Sequence, residues 1–254
     1  MIAVATVPRA SLAVLAAITV IANGCAGEDP YLDLSQAPTD VAAPEVAVDV
    51  ASATHTSTVA TAATSEIVAY VEPGGEDPVS RLANPIPSGS PLVFEVISAH
   101  VNGWHEVKLP IRPNGSTGWI KAEDVTLASN PWRLEISVAD HQLRVFREGR
   151  LTIDSPVAIG TGATPTPIGS FYLTELLQPT DPSGPYGTFA FGLSGFSETL
   201  MEFNGGEGVI GIHGTNDPGS LGTDVSHGCI RIENSVIDEM ATFLPLGTPV
   251  LITP

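Results

Sequence analysis

Along residues 131–254, apolar and polar positions alternate in Arg133-Leu134-Glu135-Ile136-Ser137-Val138, in Gln142-Leu143-Arg144-Val145-Phe146, and again from Leu151 to Ile159. A period of two puts one face on a core and the other in water, so these runs predict antiparallel strands. Glu148-Gly149 is placed to close the hairpin between the latter two. A period of 3.6 occurs once: a helix capped by Asn234 or Ser235 and running to about Leu244 brings Val236, Ile237, Met240, Ala241 and Leu244 onto one face. Pro249 to Ile252 reads as a last strand. Upstream, from Glu66 to about Leu127, shorter runs are broken by Pro and Gly: Ile67 to Val71, Leu92 to Ile97, Trp104 to Leu109 and Gly118 to Ile120. Asn114-Gly115 is a hairpin signal between the last two. The pattern predicts a mainly β fold, with a small β-barrel-like domain at 66–128 and a larger all-β domain at 131–254 carrying one or two short helices.

Residues 26–65 show neither period. They hold six acids, no Lys or Arg, and runs of Ala, Thr, Val and Pro, a composition that buries too little apolar area to offset the entropy of ordering. They read as a tether with a span of roughly 35 Å, at about 5–6 Å times the square root of length. A stalk without positional role fits the same composition. Residues 1–25 combine Arg9, the apolar stretch Leu12 to Ile21 and then Ala22-Asn23-Gly24-Cys25. That stretch is shorter than the about 20 residues needed to span a bilayer, and it suits a signal peptide. The chain is therefore expected to be exported. Small residues before Cys25 resemble a bacterial lipobox, which implies lipid on Cys25 and retention at the outer face of the cytoplasmic membrane or in the wall. Ordinary cleavage near Gly24 or Ala26 is the alternative, with Cys25 an incidental thiol or the disulfide partner of Cys229.

Ten Lys and Arg against 28 Asp and Glu leave a net charge of −18 over 254 residues. Such a chain repels nucleic acid and anionic lipid. Charged residues amount to 15%, against ~25% in an average domain, while 25 Gly and 22 Pro argue against coiled coils and helical bundles.

Two segments carry the candidate chemistry: Gly208-Val209-Ile210-Gly211-Ile212-His213-Gly214-Thr215 and Ser226-His227-Gly228-Cys229-Ile230-Arg231-Ile232. Taken as extended, Ile210, Ile212, Ile230 and Ile232 face a core. Gly211, His213, His227, Cys229 and Arg231 then face the opposite way. A neighbouring imidazolium, from His213 or His227, would lower the pKa of Cys229 and favour its thiolate. The base also needs a hydrogen bond on its other ring nitrogen, for which Gly214 or a nearby carbonyl is at hand. Backbone N–H groups around Gly228 and Cys229 are the expected oxyanion donors. His213, His227 and Cys229 with Asp217 or Asp224 also suggest zinc, but the spacing lacks the usual pairs of ligands, and neither metal nor cofactor is expected.

The run Gly103 to Leu109 followed by Gly118-Trp119-Ile120 resembles the bacterial SH3-like repeats that accompany cell-wall enzymes. That resemblance implies wall binding by Trp104 and Trp119, whereas packing alone makes them core aromatics. His100 and His105 are read as surface residues. His213, then Ser226-His227-Gly228-Cys229-Ile230-Arg231, together with Thr166-Pro167-Ile168-Gly169-Ser170-Phe171, resembles the YkuD-type L,D-transpeptidases. The resemblance implies a β-sandwich catalytic domain that cross-links peptidoglycan stem peptides and is inhibited by carbapenems. By it, Cys229 attacks a donor stem at its third residue, releases D-alanine and forms a thioester, and the amine of a second stem completes a 3→3 cross-link. His213 acts as acid and base, His227 shapes the oxyanion pocket, and Arg231, Ser226, Gly228, Gly214 and Tyr186 serve substrate. Asp181 to Gly195 stands at the family's mobile flap, with Ser194 as a further contact. The alternatives are transfer to water, making an L,D-carboxypeptidase, and a non-catalytic wall-binding lipoprotein. The oligomeric state is not fixed by any of these features.

Overall fold

The computed structural model describes residues 56–202 and 206–254, without the side chains of residues 99 and 100. The signal, most of the tether, Cys25 and the His100 side chain therefore lie outside the described residues.

Strands β1 (Ser57–Ala62), β2 (Glu66–Tyr70), β3 (Pro78–Ala83), β4 (Val93–Val101), β5 (Trp104–Lys108), β6 (Thr117–Lys121) and β7 (Val125–Asn130) form one antiparallel sheet in the order β3-β2-β6-β5-β4-β1-β7. β1 corrects the tether's expected end at residue 65, because Ser57–Ala62 lies inside the sheet between β4 and β7. Its sequence shows no alternation for a physical reason: it is buried on both faces. Ala60 packs in the core of this sheet with Ile67, Phe94, Val107 and Ile120. Val59 packs on the other side with Val93 and Tyr172.

His105 is also corrected. It shares the inward face of β5 with Val107 and is 3% exposed. Trp104 and Trp119 lie on the opposite face, half-buried, so they are not core residues; Trp104 meets Tyr70 edge to face with centroids 5.4 Å apart.

The second set comprises β8 (Trp132–Ser137), β9 (Gln142–Arg147), β10 (Arg150–Pro156), β11 (Ile159–Gly160), β12 (Gly169–Leu177), β13 (Ala190–Phe196), β14 (Val209–His213), β15 (Asp224–Ser226), β16 (Ile230–Arg231), α1 (Asn234–Phe243) and β17 (Pro249–Thr253). Eight of these strands form a sheet in the order β10-β9-β8-β17-β12-β13-β14-β16, and β11 pairs with β15 in parallel. β12 joins its halves, since Gly169 to Tyr172 pair with β17 and Leu173 to Leu177 pair with β13. Leu134, Val145, Phe171, Leu173, Phe191, Ile212, Ile230, Ile237 and Met240 belong to one continuous core. Glu148 and Gly149 both take positive φ, 49° and 79°, the hairpin turn their sequence predicts. Helix α1 begins at Asn234, but the cap position is Glu233, one residue before the expected cap. The Asn234 side chain is used elsewhere: its Oδ1 accepts the Thr215 N–H at 2.8 Å.

Side chains tie the two sheets together. Arg112 donates to the carbonyls of Ser197 at 2.8 Å, Glu207 at 2.9 Å and Leu200 at 3.3 Å. Asn114 accepts the Phe196 N–H and donates to its carbonyl, at 2.9 and 2.8 Å. Buried Asn130 reaches Thr248 Oγ1 at 3.0 Å, and Lys108 Nζ reaches Ser170 Oγ at 2.6 Å.

Candidate active site

β14 delivers His213 through the alternation expected of it. Ile210 and Ile212 are buried on the core side, while Val209 is 44% exposed on the other. β16 lies parallel to β14, with Ile212 opposite Ile230 and His213 opposite Arg231. Residues far apart in the chain thus meet in one pocket of about 150 Å³, lined by Pro185, Tyr186, His213, Ser226, His227, Cys229 and Arg231. Cys229 is a half-buried free thiol.

His213 is 5% exposed, and its Nδ1 lies 2.6 Å from the Gly214 carbonyl oxygen. A carbonyl only accepts, so Nδ1 carries the proton and donates it, which leaves Nε2 with the lone pair. Burial pushes the imidazole down to about 4; the Gly214 carbonyl opposes this and the Arg231 charge reinforces it. Burial pushes the Cys229 thiol up, against the opposing effects of a backbone hydrogen bond with Gly211 and the Arg231 charge. Both shifts run against the expected thiolate–imidazolium pair and toward neutral thiol and neutral imidazole, because burial is the largest cause in each.

The turn that carries the thiol is held from several sides. Ser226 Oγ accepts the Gly228 N–H at 3.0 Å and donates to the Cys229 carbonyl at 2.5 Å. The Gly228 N–H is thus engaged inside the turn and is not an oxyanion donor, a second correction. Thr164 Oγ1 donates to the Ser226 carbonyl at 3.2 Å, and Thr166 Oγ1 to the Gly228 carbonyl at 3.0 Å. Gly228 takes φ +115°, a conformation that favours glycine. Ser226, expected to serve substrate, lines the pocket and also holds the turn, and the Gly214 carbonyl holds His213. Thr164 and Thr166 have no role predicted from the residues, Thr166 being marked only by its match to a family motif, and the sequence marks Asn234 as a helix cap and not as the partner of Thr215.

Tyr186 overhangs His213, with ring centroids 4.9 Å apart and planes at 57°. Ser194 is not at the pocket: it is buried on β13 and its Oγ accepts the Tyr172 N–H at 3.1 Å. Arg231 Nε is buried and has no hydrogen-bond partner among the described residues. Among those residues no group of three or more His, Cys, Asp or Glu is placed to hold a metal ion, and Asp224 lies 2.7 Å from His141 Nε2.

A protein of Bacillus licheniformis named as the L,D-transpeptidase YkuD is 39% identical over 124 residues, 49% of this chain and 67% of that protein. Its namesake in Bacillus subtilis is 34% identical over 48% of this chain and 66% of its own length. The chain thus spans about two thirds of the relatives it matches. A solved L,D-transpeptidase of Mycobacterium smegmatis overlaps 63% of this chain and 82% of its own at 17% identity, with a TM-score of 0.40. One from Mycobacterium tuberculosis overlaps 64% and 90% at 15% identity and a TM-score of 0.42. The family model for the L,D-transpeptidase catalytic domain matches residues 131–252, which include every pocket residue named above, and the chain belongs to the YkuD family.

Proposed function

We propose that the protein is an exported peptidoglycan L,D-transpeptidase with Cys229 as nucleophile. One observation carries the reading: a half-buried free thiol shares a pocket with a histidine whose Nδ1 is fixed on a carbonyl and whose Nε2 keeps its lone pair. Family membership supports action on peptidoglycan stem peptides.

In the donor half-reaction, His213 Nε2 takes the Cys229 proton as Sγ attacks the carbonyl of the third stem residue. Starting from a neutral pair, the transfer is concerted with attack, so no ion pair has to be desolvated beforehand. The imidazolium then protonates the leaving D-alanine amine, an easy step for an acid whose pKa is about 4. A thioester remains. An acceptor amine attacks it, loses its proton to His213, and the thiol is regenerated with a 3→3 cross-link formed. His227 lines the pocket, where it would shape the oxyanion site, and Arg231, also in the lining and with its buried Nε unpaired among the described residues, suits a stem carboxylate. Tyr186, whose ring lies against His213 at the pocket, would contact substrate there. Water in the acceptor's place gives an L,D-carboxypeptidase. Cys25, as a lipidated first mature residue, would hold the enzyme at the membrane; Cys25→Ala is expected to release it to the medium.

Incubation with a purified disaccharide tetrapeptide tests the reading by mass spectrometry. Dimer plus D-alanine is expected; tripeptide alone means a carboxypeptidase, and unchanged substrate overturns the enzyme reading.

A further inference from the structure

The Thr166 hydroxyl sits at the back of the nucleophile turn. Thr166 is 4% exposed and flanked by Pro165 and Pro167, whose rings restrict the backbone on either side. Its Oγ1 accepts the Gly160 N–H at 2.9 Å and donates to the Gly228 carbonyl at 3.0 Å, so both capacities of a buried hydroxyl are used. The approach is close: a Cβ on Gly160 would lie 2.2 Å from the Thr164 carbonyl oxygen, so only glycine fits there. The Gly228 carbonyl belongs to the same peptide unit as the Cys229 N–H. A planar trans peptide points these two groups in opposite directions. Anchoring the carbonyl on Thr166, inside the protein, turns the Cys229 N–H outward, on the side of the pocket. With the Gly228 N–H taken by Ser226, the Cys229 N–H is a donor from this turn that a developing oxyanion can meet.

We propose that Thr166 is a positioning residue for acyl transfer: by fixing the Gly228 carbonyl, its hydroxyl aims the Cys229 N–H at the oxyanion. The inference rests on the acyl-transfer reading above and adds to it a residue that touches neither substrate nor thiol.

The test compares two reactions of Cys229 in the full chain. Acylation by a carbapenem passes through a tetrahedral oxyanion, whereas alkylation by iodoacetamide displaces iodide at a saturated carbon and forms none. In Thr166→Val, which keeps the shape and removes the hydroxyl, acylation is expected to slow about tenfold to a hundredfold, given that loss of a whole oxyanion donor costs 10²–10³. Alkylation is expected to stay within about twofold of wild type, and Thr166→Ser to restore acylation. Equal slowing of both reactions would reduce Thr166 to a packing role and overturn the proposal, as would an unchanged acylation rate. Thermal melting checks that Thr166→Val is folded; if it is not, Thr166→Ala carries the same comparison of rates. A wild-type protein that forms no Cys229-dependent adduct would overturn the acyl-transfer reading and this inference with it. A wild-type adduct whose rate ignores Thr166 overturns this inference alone.

Discussion

The two sheets bury polar groups differently. Among the described residues of the first sheet, His105 and Asn130 are the buried polar side chains, and Asn130 belongs to the junction with Thr248. The second set buries Ser155, Thr166, Ser194, Ser197, His213, Thr215, Ser226 and Thr248, and Thr166, His213, Thr215 and Ser226 gather at or behind one pocket. A buried polar group is costly unless it is hydrogen-bonded, so a cluster of them persists where the partners are built in. Here the partners are backbone groups: Gly160 and Gly228 for Thr166, Gly214 for His213, Asp217 for Thr215, and Gly228 and Cys229 for Ser226. The first sheet is a scaffold docked on the second; the polar network, and the chemistry assigned to it, belong to the second.

The sharpest way to break this division is to remove chemistry from the second sheet. Cys229→Ala is expected to abolish the single carbapenem adduct in intact-mass spectra, and an adduct that survives would move the nucleophile elsewhere. His213→Asn is expected to lower acylation by 10²–10⁴, the usual contribution of a positioned base, with Cys229 still open to alkylation at high pH.

The low pKa of His213 also makes a prediction about stability. Held near 4 in the fold and 6.5 when unfolded, this histidine takes up its proton more readily in the unfolded chain. Its contribution is complete above pH 6.5 and is lost as pH falls toward 4, which amounts to roughly 3 kcal/mol at about 1.36 kcal/mol per unit. Chemical denaturation of wild type and His213→Asn at pH 7 and pH 4 checks this, and the variant is expected to show the shallower dependence.

Cutting the docking contacts sharpens the comparison from the other side. Arg112→Ala removes three hydrogen bonds to carbonyls of the second set. It is expected to cost about 2 kcal/mol in thermal or denaturant unfolding while leaving the iodoacetamide rate of Cys229 within about twofold. Equal loss of thiol reactivity would mean that the first sheet shapes the site. The smallest effect is expected from Trp104→Ala. Removing its contact with Tyr70 costs about 0.5–1.5 kcal/mol beyond the area lost, with no change in acylation.

Strand and site positions were legible wherever one face is wet. β8, β9 and β14 follow their alternation, and the parity that set His213 apart from Ile210 and Ile212 is what brings it to the pocket. β1 escaped because burial on both faces erases the period. His105 alternates with Val107 and faces inward, so its place in the pattern, and not its polar residue type, reports its burial. Ser194 and Gly228 differ from His105: their partners, Tyr172 and Ser226, are set by tertiary geometry that sequence spacing does not report.

The sequence by itself determined the β class, the segments that carry the candidate site and the residue types that meet there, since local alternation and a short reactive motif encode them. Tertiary structure decided their charge states and their orientation. Desolvation of His213 and Cys229 depends on everything packed around them, and it works against the ion pair that proximity alone suggests. The direction of the Cys229 N–H is set by a hydroxyl 63 residues earlier in the chain, a distance that only folding closes.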